Sequence, residues 1–94
     1  MPVGILDVQL SLPGCLSLKD KRRRLAPILH HLQIKFNASV SETANQDVWQ
    51  NASISCAVVS NDRIHIEQSL KSILKYLENH FPDEPIQYQK IEIL

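Results

Sequence analysis

Glycine, cysteine and aromatic side chains are scarce in this chain of 94 residues: two glycines, two cysteines, two phenylalanines, two tyrosines and one tryptophan. The loop Pro13-Gly14-Cys15-Leu16-Ser17 holds a single glycine, so it offers no run of small residues to cradle a phosphate. Cys15 and Cys56 form no CxxC pair, and two such cysteines read as free thiols. No apolar run approaches 18 residues, which argues against a membrane span. The opening MPVGILDVQL has neither a basic stretch nor a cleavage pattern, so a cytoplasmic protein is expected. Net charge is zero, which excludes a general coating of nucleic acid. The length suits one domain, 1–94, large enough to fold without metal or disulfide.

What is present is patterned. Residues 3–12 alternate, with Leu6, Val8, Leu10 and Leu12 on one face and Ile5, Asp7, Gln9 and Ser11 on the other, as in a half-buried strand ended by Pro13-Gly14. Ser17 is a good N-cap, followed three residues later by Asp20. Leu18, Leu25, Ile28, Leu29, Leu32 and Phe36 then form one helical stripe. The stripe keeps its phase across Pro27, so one kinked helix is expected, at a local cost of about 3 kcal/mol. Asn37 is placed to end it in the left-handed conformation.

Residues 38–44 read as a hydroxyl-rich strand, 45–47 as a turn, and 48–59 as a third strand with Val48, Ala52, Ile54, Cys56 and Val58 inward. Asn61 or Asp62 caps a second helix whose stripe is Ile66, Leu70, Ile73, Leu74, Leu77 and Phe81. The last segment, PIQYQKIEIL, alternates with a slip that a bulge near Gln89-Lys90 would reconcile. The order β-α-β-β-α-β points to an α+β, ferredoxin-like sandwich: a four-stranded antiparallel sheet with both helices on one face and a polar open face.

The stretches VGILDVQLSLPGCLSLKDKRR, NASVSETANQDVWQNA and AVVSND, with the closing EIL, resemble the small bacterial YlxP family over essentially the whole chain. The resemblance implies a ferredoxin-like fold and brings no established catalytic residues. Genes of the family often lie near those for transcription elongation and translation initiation factors and for ribosome-binding factor A, which implies ribosome assembly or RNA handling. Pro27 departs from the family's usual pattern and bears on the helix's straightness.

Residues 19–35 hold six cations and one anion, against −1 for residues 1–18 and −4 for residues 36–94. Arg23 and Arg24 are expected on the solvated face of the first helix. Lys21 and Arg22 flank its apolar stripe, stems along the helix–sheet edge and charges at the rim. Taking the first and third strands as parallel neighbours brings both helix N-termini together. Lys19, Lys21, Arg22 and Arg63 would then form a phosphate- or RNA-binding corner. Trp49, expected on the open face near the start of the third strand, could stack on a base or pack at a subunit contact. Cys15 reads as a spare thiol and Cys56 as core. His30, His31, His65 and His80 lack metal-ligand spacing, and no metal or cofactor is expected.

The first functional reading is a non-enzymatic accessory factor contacting a ribosomal subunit or structured RNA. The open face lacks the paired aromatics of an RNA-recognition motif, so shape and backbone would be read. The alternative is a protein-interaction or self-associating module without nucleic-acid binding, dimerising through the open face or an edge strand. An acylphosphatase-like enzyme, on the same fold, lacks support from the first loop and from any nucleophile–base pair.

Overall fold

Alternation decides the sheet. In the computed structural model, which describes residues 2–94, strand β1 (Val3–Ser11) buries every second residue and leaves the rest half-covered. Strand β3 (Asn51–Val59) does the same along most of its length. Between and after them come helix α1 (Leu18–Phe36), strand β2 (Ser39–Ala44), helix α2 (Arg63–His80) and strand β4 (Ile86–Ile93). The sheet order is β2-β3-β1-β4, and all neighbours are antiparallel. No helix among the described residues is long and apolar enough to cross a membrane.

The core lies between the sheet and the helices. Leu6, Val8 and Leu10 of β1 and Ile54 and Cys56 of β3 meet Leu25, Ile28 and Leu32 of α1 and Ile66, Leu70 and Ile73 of α2. Each fully covered aliphatic side chain contributes about 1.5–3 kcal/mol. Gly4 stands where α2 packs tightly on β1: a Cβ there would lie 2.1 Å from Ile66 Cγ2 and 3.0 Å from Leu70 Cδ1.

The helix ends are as the sequence sets them. Ser17 is extended, and its Oγ accepts from the Asp20 amide at 3.0 Å. Asp62 accepts from the Ile64 amide at 2.9 Å. Asn37 is left-handed, with φ 49°. α1 runs unbroken through Pro27, which lies on its exposed side.

Three expectations change. The third strand begins at Asn51, so Val48 and Trp49 belong to the β2–β3 hairpin loop and not to the open face. The slip in β4 is real but sits at Gln87: Gln9 pairs with Tyr88 and Leu10 with Ile86, which puts Ile86 on the core side and Tyr88 on the open face. Finally, β1 and β3 are antiparallel, Val3 facing Val59 and Ser11 facing Asn51. α1 therefore begins at one end of the sheet and α2 at the other, separated by the length of β1, about 25 Å at the rise of an antiparallel strand.

Candidate functional site

This reversal divides the expected corner. Lys19, Lys21 and Arg22 stand at the start of α1, while Arg63 is exposed at the opposite end, at the start of α2. The four residues do not converge.

Lys21 is also not a rim cation. It is 1% exposed and its ammonium group is fully engaged. Nζ donates to the carbonyls of Asn45 and Val48, each at 2.6 Å, and lies 2.7 Å from Glu42 Oε2. Glu42 Oε2 has no other partner among the described residues. Two donors thus meet carbonyls of the hairpin loop, and the charge itself is paired with the carboxylate of Glu42 on β2. Asn45, left-handed at φ 60°, turns its carbonyl both to Lys21 and to the Val48 amide, 3.0 Å away. The β2–β3 loop folds over the first turn of α1 because a buried cation holds it there.

Its neighbours are spent differently. Arg24, expected in solvent, is largely covered: it donates to the Pro13 carbonyl at 2.8 Å and to Glu84 Oε2 at 2.8 Å. The Glu84 carboxylate raises the already high pKa of this guanidinium. The shallow depression between Pro13, Arg24, Asp83 and Glu84 is therefore lined by a neutralised pair. Arg23 pairs with Asp20 on the exposed side, and this guanidinium holds the Asp20 carboxyl below its ordinary value. Of six cations in 19–35, removing Lys21, Arg23 and Arg24 leaves Lys19, Arg22 and Lys35 with no ion-pair partner among the described residues.

Around Lys19 and Arg22 the surface is partly apolar. Leu16, Val48 and Trp49 are all exposed, Trp49 at 46%. Their two loops abut, since the Leu12 amide donates to the Gln50 carbonyl at 2.8 Å and Gln50 Nε2 to the Cys15 carbonyl at 3.4 Å. Cys15 is not a spare surface thiol: it is fully buried, its Sγ directed to the Ser17 carbonyl. Burial also pushes the Cys56 thiol up to about 12, so neither sulfur is presented as a nucleophile. His30, His31, His65 and His80 are exposed, and no group of three or more metal-ligating side chains forms among the described residues. The open sheet face is hydroxyl-rich, with Thr43 bonded to Ser55 at 2.8 Å and Ser55 to Asp7 at 2.6 Å.

The architecture is that of a ferredoxin-like domain, and solved structures of low sequence identity share it. A de novo designed protein with ferredoxin fold superposes with TM-score 0.54 at 11% identity, over 98% of this chain and 85% of that one. A putative antibiotic biosynthesis monooxygenase from Chloroflexus aurantiacus gives 0.57 at 14%, over 100% and 93%. A putative PII-like signaling protein from Thermus thermophilus gives 0.53 at 14%, over 100% and 87%. At these identities they speak for the fold alone. Residues 3–90 match the family described as protein of unknown function DUF503. The uncharacterized protein YlxP of Bacillus subtilis (strain 168) is 37% identical over 81 residues, covering 86% of this chain and 87% of that protein. The chain belongs to the DUF503 family.

Proposed function

We propose that this protein is a non-enzymatic accessory factor that docks on structured RNA or a ribosomal subunit by gripping phosphate with Lys19 and Arg22. One observation carries the reading: these two cations stand exposed near the start of α1 with no ion-pair partner among the described residues, while Lys21 and Arg24 beside them are covered and paired and Arg23 is paired with Asp20 at the surface. A cation left without a partner beside so many that have one is free to replace the counterions of a nucleic-acid backbone. The gene neighbourhood implied by the family resemblance supports an RNA-handling role.

The mode is backbone and shape recognition. Trp49, on the loop that Lys21 anchors, offers one ring at the same end for an unpaired base. Two cations and one ring make a modest contact, suited to docking on a large preformed surface. Arg63 takes no part, being at the far end, and Lys21 acts only by holding the loop.

The test is co-sedimentation with separated ribosomal subunits, and titration of a structured RNA, across a range of salt. Wild-type binding should fall with salt at a log–log slope of about −1.4 to −1.8, the value for two phosphate contacts. The Lys19→Glu/Arg22→Glu variant should not bind. Absence of wild-type binding at low salt, or equal binding by the variant, refutes the proposal.

A further inference from the structure

The two edges of the sheet are finished differently. At β2, the Val40 carbonyl accepts from Gln33 Nε2 of α1 at 3.1 Å, and the Glu42 carbonyl from Gln46 Nε2 at 3.4 Å. That strand is also only six residues long, with a register shift between Glu42 and Ala44. Side-chain amides and irregularity are what blunts an edge.

At β4 the irregularity is confined to the bulge at Gln87, near the strand's start, and among the described residues no side chain caps the groups beyond it. Val3 and Leu94 exchange both main-chain hydrogen bonds, at 3.3 and 2.8 Å, which fixes the phase of the ladder. By alternation, Glu92, Lys90 and Tyr88 spend their amides and carbonyls on β1. Gln89, Ile91 and Ile93 turn theirs away, where no strand lies and, among the described residues, no side chain reaches them. Ile91 and Ile93 also border the core and remain half-buried.

We infer that β4 pairs with β4 of a second copy of this chain, antiparallel about a two-fold axis at Ile91, forming one continuous eight-stranded sheet. In this register the outward groups meet: Ile91 faces its own copy and exchanges both bonds, and Gln89 faces Ile93. The intervening residues form the non-hydrogen-bonded pairs, whose side chains come closest. They are Lys90 against the second copy's Glu92, and the reverse, both on the open face. The strand is thus charge-complementary to itself. Moving the axis by one residue sets Lys90 against Lys90 or Glu92 against Glu92, and like charges directly opposite destabilise a sheet. Moving it to Gln89 sets Lys90 against Tyr88 and Glu92 against Ile86, losing both ion pairs and running into the bulge at Gln87. An edge contact this short falls below the usual interface size, so dimerisation is expected in the micromolar range.

Sedimentation equilibrium from low micromolar to submillimolar concentration tests this with Lys90→Glu, Glu92→Lys and the two combined. Each single swap creates two like-charge pairs and should raise the dimer dissociation constant about ten- to thirty-fold. The combined swap should restore it to near the wild-type value. Lys90→Glu also faces Asp7 of β1; if it lowers the melting temperature, Glu92→Lys, which faces Ile5, carries the test with the combined variant. A wild type that stays monomeric throughout, or dimerises with no response to either swap, overturns the inference. Neither residue belongs to the α1 surface, so the RNA reading stands or falls separately.

Discussion

Replacing Lys21 by methionine should unfold this protein far more readily than any change to a surface lysine. The substitution keeps most of the stem's volume and removes the ammonium group. It leaves the Asn45 and Val48 carbonyls without the donors now 2.6 Å away, and Glu42 without its counter-ion at 2.7 Å. Breaking a buried ion pair by deleting one partner costs about 3–5 kcal/mol. Here water recovers part of the loss, because the Glu42 side chain keeps 21% of its exposure and the carbonyls belong to a surface hairpin. We therefore expect about 2–3 kcal/mol, a large fraction of the 5–15 kcal/mol typical of a domain. For this chain length that lowers the melting temperature by about 10–20 °C. Urea titration gives the free energy, with Trp49 fluorescence reporting the loop and circular dichroism the whole fold. Lys21→Met with Glu42→Leu should regain part of the loss, since no uncompensated charge then remains. A cost below about 0.5 kcal/mol for Lys21→Met, the range of an ordinary surface substitution, would refute the reasoning.

Other expectations follow from packing and burial. Gly4→Ala drives a methyl group into Ile66 Cγ2, so the variant should lose about 1–3 kcal/mol in the same urea titration, although alanine is the better residue in an isolated strand. Cys56 and Cys15 should not react with a chromogenic disulfide in native buffer and should react fully in denaturant, a difference read by absorbance. Because burial raises the Cys56 thiol from 9.0 to about 12, the native state holds this proton after the unfolded chain has released it. Its contribution to stability is complete below pH 9 and declines as pH rises from there toward 12. Cys56→Ala should flatten that part of the stability profile.

The sheet and helices were legible because their periodicities are clean. Leu6 to Leu12 and Ala52 to Val58 alternate without interruption, and Ser17, Asn37 and Asp62 carry the chemistry of the helix ends they occupy. The bulge in β4 was legible as a change of parity. Its place was not, because Ile86 and Tyr88 suit one face as well as two, and only the partner residues Leu10 and Gln9 decide between them. The site was legible as a concentration of charge and misplaced in two respects. Direction along the chain already separates the helix N-termini, since a hairpin joins β2 to β3 and one helix joins β1 to β2; the chain must descend β3 after rising along β1. Lys21 is the deeper case. Leu18, Lys21, Leu25, Ile28 and Leu32 fall at alternate spacings of three and four, so position 21 lies within the apolar stripe. Its charge argued for the surface. What buries it is a set of acceptors from residues 42–48, and no local pattern discloses those. The one available signal was Glu42, a lone carboxylate in the hydroxyl-rich segment 38–44.

The occupied carbonyls of β2 also bear on how large any assembly of this protein can grow. Fibres propagate when a subunit offers two complementary surfaces, so that each addition renews the site for the next. With Gln33 and Gln46 on one border, the sheet has a single receptive side. Once that side is used, the product presents only β2 borders, whose Val40 and Glu42 carbonyls are already taken. On the β4 pairing inferred above, sheet extension would end at the dimer, and glutamine side chains far from the receptive strand would set that limit.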